Sequence, residues 1–228
     1  MENRILVTRP ASFFNELADF RSRRLEVISS DSGPITLQAG ARVVLHLIPQ
    51  AAFTRSASVD LSALRQPLLP LFGGGSWRFN FDGRLTYSNG TDGVRSYVQL
   101  FHSGVVEAVY VFAERNGTKM IPSTALERNL IEATESYLTA QENLDVKPPL
   151  AILLTLVGVK GFELAVDQKF YASDRYSIDR DTLFLPEQLI ESFDASVGRE
   201  MKPIFNRIWN AAGLPACLHY DEKGNWMG

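Results

Sequence analysis

The sequence predicts an α+β protein, in which a mostly antiparallel β-sheet packs against three main helices. Residues 77–112 alternate between apolar and polar types, which is typical of a β-meander. Residues 42–48 and 150–157 are almost wholly apolar, which indicates strands covered on both faces. Amphipathic helical patterns lie near 13–28, 123–144 and 203–212. We expect one α+β domain over 1–228.

The meander is the clearest of these patterns. Trp77, Phe79 and Phe81 are expected on one face of its first strand, with Arg78 and Asn80 on the other. Turn signals separate its strands at Asp82-Gly83, Asn89-Gly90, Asp92-Gly93 and Ser103-Gly104. Glycine accepts the backbone conformations that tight hairpins require, so consecutive strands are predicted to pair antiparallel.

The helices carry their own start and stop signals. Thr124-x-x-Glu127 has the form of a capping box, which predicts a helix that begins there. Pro203 suits a first helical turn, and Gly213 suits a helix end.

The other segments are assigned less regular roles. Residues 1–11 are expected to form an extended lead-in, 50–75 a long connection and 221–228 a tail that packs through Trp226. Residues 186–193 fit a helix or a strand equally well.

Composition limits the classes of protein to consider. The chain has 228 residues, of which 45% are hydrophobic, a net charge of −3 and one cysteine. A single cysteine rules out an internal disulfide and favours a reducing compartment. The N-terminus lacks a signal-peptide pattern, and no apolar run is long enough to span a membrane. We expect a cytoplasmic protein without membrane contact.

Catalytic and metal-binding groups are dispersed along the chain. The histidines are far apart, and Cys217-x-His219 is too small a set for zinc unless distant carboxylates complete it. Gly158 and Gly161 have the wrong spacing for a phosphate loop. We therefore predict no catalytic residue, no metal and no cofactor, and expect the polar groups to stay apart in the fold.

Two polar residues lie in apolar strands. His46 is interpreted as a hydrogen-bonded core histidine. Glu107 shares a strand face with Val105 and Val109, which indicates that this face is partly exposed or that the carboxylate meets a basic partner.

Candidate binding residues come from the sheet face, from the polar loop 167–181 and from the first helix. A ligand pocket would draw on Arg78, Asn80, Gln99, Glu107, Tyr171, Arg175 and Tyr176. A nucleic-acid surface would draw on Arg21, Arg23, Arg24 and Arg42. The negative net charge disfavours the second use, because nucleic-acid binders usually carry a basic excess.

An ordered set of short segments resembles a known group of proteins. The segments are Phe20-Arg21-x-Arg23-Arg24-Leu25, Val44-Leu45-His46-Leu47-Ile48-Pro49, Arg78-Phe79-Asn80-x-Asp82-Gly83, Tyr97-Val98-Gln99-Leu100-Phe101, Leu156-x-Gly158-Val159-x-Gly161, Leu185-Pro186-Glu187 and Trp209-Asn210-Ala211-Ala212-Gly213. Together they resemble the C-terminal region of bacterial Schlafen-type AlbA-domain proteins, which are often labelled ATP-binding or helix-turn-helix proteins. The AlbA domain itself is absent from this chain, so none of its site residues transfers.

The resemblance implies a prokaryotic setting linked to regulation or defence. The leading hypothesis is a non-catalytic module that binds a protein partner or self-associates, as an accessory of a nucleic-acid-linked regulator; nucleic acid would be reached only indirectly, through an AlbA-type domain. The alternatives are a small-molecule sensor or enzyme with a pocket at the sheet face and the 167–181 loop, and direct nucleic-acid binding by the Arg21–Arg24 helix.

Overall fold

A computed structural model describes residues 11–54, 58–114, 117–166 and 176–228, and it has the expected α+β architecture. These residues include the α-helices α1 (Ala11–Ser29), α2 (Ser123–Asn143), α3 (Val197–Glu200) and α4 (Lys202–Ala211). The strands are β1 (Ala41–Pro49), β2 (Ser76–Asn80), β3 (Gly83–Gly90), β4 (Gly93–Phe101), β5 (Val106–Phe112), β6 (Met120–Pro122), β7 (Leu150–Val157), β8 (Glu163–Ala165), β9 (Thr182–Phe184) and β10 (Gln188–Ile190).

Eight strands form one antiparallel sheet in the order β10-β7-β1-β5-β4-β3-β2, with β9 also paired to β7. The apolar strands β1 and β7 are neighbours near its centre, which explains why both are apolar on both faces. The meander β2–β5 forms one half, and β2 is the edge strand. A separate parallel pair joins β6 and β8.

Helices cover both faces of the large sheet. On one face, α1 packs through Leu17 and Leu25 onto residues of β1, β4 and β5. On the other, α2, α3 and α4 enclose the largest apolar core with Tyr137, Phe205 and Trp209. No helix in the described part of the chain has the length and apolar character needed to cross a membrane.

The structure describes three segments that lack a clear sequence pattern, namely 186–193, part of 50–75 and the tail 221–228. The part of 186–193 that is regular is the strand β10. The described part of the 50–75 connection contains two short 3-10 turns and no strand. Trp226 of the tail packs against the main apolar core, and its indole N–H donates to Glu127 of α2.

The prediction of a capping box at the start of α2 is wrong. Pro122 is the N-cap residue, and no side chain caps the first turn. Thr124 and Glu127 instead both contact His219, in the segment that follows α4. Their local spacing is that of a capping box, but a long-range network recruits both side chains.

Candidate functional site

Three polar side chains lie in a row on the α1 face of the sheet. Gln99, Glu107 and His46 are direct cross-strand neighbours on β4, β5 and β1, and all are fully buried. The strand alternation noted in the sequence explains why they share this face. The amide of Gln99 is paired with Asn80, whose Nδ2 donates to its Oε1 at 2.8 Å.

Glu107 is the centre of a buried network. Arg24 of α1 donates from Nε to Oε2 at 2.7 Å and from Nη2 to Oε1 at 2.8 Å. The hydroxyl of Tyr97 donates to Oε1 at 2.8 Å, and Nε2 of His46 lies 3.0 Å from Oε2. A carboxylate only accepts, so His46 carries its proton on Nε2. The basic partner expected for Glu107 is therefore Arg24.

The network also fixes the charge state of Glu107. Burial alone raises the pKa of this carboxyl, but the hydrogen bonds from Arg24 and His46 outweigh it and lower the pKa to about 2. Glu107 is thus a carboxylate at neutral pH, locked between the sheet and α1. The arrangement fastens α1 to the sheet, and a buried, fully paired carboxylate is poorly placed for proton transfer to a ligand.

The proposed pocket residues do not form one site. Gln99 and Glu107 are sealed under α1, whereas Arg78 is exposed on the edge strand. Tyr176 is exposed next to α4, against Gly213. Tyr171 and Arg175 lie outside the described residues.

The four arginines of the nucleic-acid hypothesis are also not displayed together. Arg21 donates to Glu187 at 2.7 Å, Arg24 holds Glu107, and Arg42 bonds Asp31 at 3.1 Å. Arg23 is exposed. Three of the four charges therefore face carboxylates of the protein itself, which does not favour direct nucleic-acid binding.

A second buried carboxylate organises the other side of the protein. Glu127 of α2 accepts from the indole N–H of Trp209 on Oε1 and from that of Trp226 on Oε2, each at 2.8 Å. Its Oε2 also lies 2.8 Å from Nδ1 of His219 and 3.4 Å from Sγ of Cys217. One α2 carboxylate thereby ties α4 and the C-terminal tail together.

In the same cluster a hydroxyl contacts an imidazole, which in turn contacts a carboxylate. The hydroxyl of Thr124 lies 3.2 Å from Nε2 of His219, whose Nδ1 contacts Glu127. The prediction that such groups stay apart is wrong here. A hydroxyl, an imidazole and a carboxylate in this order also occur in hydrolase triads. Burial raises the pKa of the nearby Cys217 thiol, followed by the charge of Glu127, so the sulfur is not a ready nucleophile.

Sequence reasoning missed this cluster because its members are far apart in the chain. In the sequence, Cys217 and His219 form a pair that only distant carboxylates could complete, and the fold places Glu127 beside them. The sequence signals for Glu127 were its position on the buried side of α2 and the local capping-box spacing, which suggested another role.

The edge strand β2 carries an exposed aromatic surface. Trp77 and Phe79 of β2 are 49% and 52% exposed, and Phe81, in the turn after β2, is 97% exposed. The prediction that Phe81 lies within the strand is wrong, because Asn80 already pairs with Gly83 across the hairpin. Together we call these three residues the β2 aromatic patch. Arg84 of β3 lies under it, with its guanidinium carbon 4.2 Å from the Trp77 ring centroid and 5.7 Å from that of Phe79. Its Nη1 donates to the carbonyl of Leu64 at 2.7 Å, so this support is itself anchored.

An open cleft lies between β9 and α4. It has a volume of about 760 Å³, and its lining includes Tyr176, Asp179, Arg180 and Arg207. Four of its lining residues, Tyr176, Ser177, Asp179 and Arg180, belong to the polar loop 167–181 proposed from the sequence.

Comparison with protein-family models, with curated proteins and with solved structures finds no match to this chain.

Proposed function

We propose that this chain is a non-catalytic self-association module, accessory to a prokaryotic nucleic-acid-linked regulator in the cytoplasm. The observation that supports self-association is the β2 aromatic patch at a sheet edge to which no strand of the described residues pairs. The regulatory setting has a different support, the ordered sequence resemblance to the C-terminal region of AlbA-domain proteins.

The edge position of β2 supplies the backbone part of the contact. An edge strand leaves every second residue with N–H and C=O groups that no neighbouring strand pairs. Proteins usually protect such edges with charges, prolines or bulges. Here β2 carries one charged side chain, Arg78, while Trp77 and Phe79 on its other face are aromatic. Large rigid rings are the side chains enriched in the cores of protein interfaces.

The occupant that fits this edge is a second copy of the chain. In an antiparallel pairing of two β2 strands centred on Phe79, this residue faces its own copy, and Trp77 lies towards Phe81 in the turn that follows β2 of the copy. In the same register Arg78 faces Asn80, so no like charges are opposed. Aromatic cross-strand pairs are among the stabilising ones in sheets. The result is one sheet that continues across a two-fold axis.

Sedimentation velocity over a concentration series tests this proposal. The wild-type chain is expected to form dimers, and Phe81→Ser is expected to shift the equilibrium to monomers. Phe184→Ser is the matched control, because Phe184 is also an exposed phenylalanine on a short strand of the same sheet, 62% exposed, but lies away from β2. A wild-type chain that stays monomeric at every concentration contradicts the proposal, as does equal dimerisation of Phe81→Ser.

The cleft between β9 and α4 favours a second function, small-molecule binding. Its size is in the range of ligand pockets, and Arg207 supplies positive charge for an anionic ligand, whereas Nε of Arg180 lies 3.8 Å from a carboxylate oxygen of Asp179. Thermal unfolding with inorganic phosphate and with a panel of nucleotides tests it. A stabilisation that Arg207→Ala removes and the exposed-site control Arg23→Ala retains supports binding, and no stabilisation by any of these compounds argues against it.

A further inference from the structure

We infer that Glu127, Cys217 and His219 form a binding site for a divalent zinc-like cation, which fastens the C-terminal tail to α2. One ligand atom from each residue lies within 4.8 Å of the other two. Oε2 of Glu127 is 2.8 Å from Nδ1 of His219 and 3.4 Å from Sγ of Cys217. All three residues are buried. The site is separate from the β2 aromatic patch, so it goes beyond the proposed self-association.

The donor set matches the chemistry of zinc. Zinc binds thiolate sulfur, imidazole nitrogen and carboxylate oxygen, and three protein ligands leave a fourth position for water. With ordinary zinc–ligand distances, tetrahedral neighbours are roughly 3.4–3.6 Å apart. The Sγ–Oε2 distance of 3.4 Å already fits, while the Nδ1–Oε2 distance of 2.8 Å must open by about 0.6 Å to reach that spacing.

Protons occupy the place of the cation in the hydrogen-bonded cluster. Nδ1 of His219 and Sγ of Cys217 both lie in hydrogen-bond contact with Oε2 of Glu127, so each supplies a hydrogen there. When the cation binds, Cys217 loses its thiol proton to solvent as the metal–sulfur bond forms. The hydrogen on Nδ1 of His219 moves to Nε2, so the metal-bound imidazole carries its proton on Nε2.

The residues that hydrogen-bond to the three ligands are arranged as they are in known metal sites. Metal-bound histidines donate their second N–H to a fixed acceptor, and ligating carboxylates accept hydrogen bonds. Thr124 Oγ1, 3.2 Å from Nε2 of His219, is that acceptor. Trp209 holds Oε1 of Glu127, the oxygen that does not face Cys217 and His219. The backbone N–H of Cys217 donates to Oδ1 of Asn206 at 2.9 Å, which fixes the sulfur-bearing loop.

Cobalt and zinc titration of the metal-free, full-length chain tests the inference. We expect one equivalent of Co²⁺ to bind with the charge-transfer absorption of a cobalt–thiolate bond, and Zn²⁺ to displace it. Cys217→Ser is expected to abolish that absorption, and His219→Gln to weaken binding at least tenfold. Thr124→Val, which keeps all three ligands, is expected to weaken it on the order of 10-fold to 100-fold.

His102→Gln is the matched control, because this exposed histidine lies outside the cluster and should retain full binding. Zinc is also expected to raise the unfolding temperature of the wild type and of His102→Gln, but not of Cys217→Ser. The inference is overturned if no stoichiometric Co²⁺ or Zn²⁺ binds, or if Cys217→Ser and His219→Gln bind as the wild type does. Phe81→Ser should bind metal normally, so failure of this site and failure of self-association are distinguishable.

Discussion

Arg24 of α1 donates two hydrogen bonds to Glu107 of the sheet, from Nε to Oε2 at 2.7 Å and from Nη2 to Oε1 at 2.8 Å. Side-by-side contact of this kind is the strong, geometrically specific form of the arginine–carboxylate pair. Glu107 is fully buried, while about a fifth of the Arg24 side chain remains exposed. The pair therefore fixes where α1 lies, and its loss leaves a charge that water cannot reach.

Arg24→Leu is expected to destabilise the protein by about 3 kcal/mol, near the lower end for breaking a buried ion pair, because Arg24 is partly exposed. Arg23→Leu is the control on the same helix, and it should change the free energy of unfolding by less than about 0.5 kcal/mol, since Arg23 is exposed. Urea unfolding of the three proteins measures both values. If Arg24→Leu and the wild type have the same free energy of unfolding, then removal of Arg24 does not leave Glu107 as an unpaired buried charge, and this account is contradicted.

The same pair makes stability depend on acid pH. The folded-state pKa of Glu107 is about 2, below its ordinary value of 4.5, so its contribution is complete above about pH 4.5 and is lost as the pH falls towards 2. Each unit of pKa difference is worth about 1.4 kcal/mol, which gives a loss of roughly 3 kcal/mol. Unfolding free energies from pH 6 down to about pH 2 should fall less steeply for Glu107→Gln than for wild type. Parallel curves would show that Glu107 does not titrate as described.

Glu127→Gln is expected to lower the free energy of unfolding by about 1–3 kcal/mol. The carboxylate accepts hydrogen bonds from its neighbours, whereas the amide nitrogen of glutamine would place a donor against those donors. Glu132→Gln makes the same change at an exposed position of α2 and should be nearly neutral. Hydrogen exchange of the tail, with chemical unfolding, separates the two variants. Unaltered tail protection in Glu127→Gln would mean that the tail is held by other contacts.

The position of the edge strand depends on a close backbone approach at Gly75. A Cβ added there would lie 1.8 Å from the carbonyl oxygen of Tyr87, whereas one added at Gly74 meets nothing within 4 Å. Gly75→Ala should therefore displace the start of β2, cost about 1–3 kcal/mol and weaken self-association. Gly74→Ala should leave both unchanged. Unfolding and sedimentation measurements compare the two alanine variants, which differ only in the space available.

Most of the secondary structure could be predicted because it depends on local patterns. The period-two alternation over 77–112 gave the meander, and the apolar runs gave β1 and β7. The residues 186–193 stayed ambiguous because a short apolar run has no period long enough to separate helix from strand.

The contacts of the two buried carboxylates depend on the tertiary fold. For Glu107, its apolar strand indicated the need for a basic partner, but only the placement of α1 selects Arg24. For Glu127, the local capping-box pattern was misleading, because His219 reaches it from 92 residues away. The spacing of residues along the sequence does not indicate that His219 and Glu127 are in contact.

Oxidative cross-linking at position 79 tests the central claim of self-association most directly. In the proposed register Phe79 faces its own copy, with a Cα separation of about 4.5–5.5 Å, which a disulfide can span. In a Cys217→Ser background, Phe79→Cys is expected to give a covalent dimer under mild oxidation, while Phe184→Cys, on a strand away from β2, is not. Failure of Phe79→Cys to cross-link, or equal cross-linking of the two variants, would contradict the pairing of β2 with its copy.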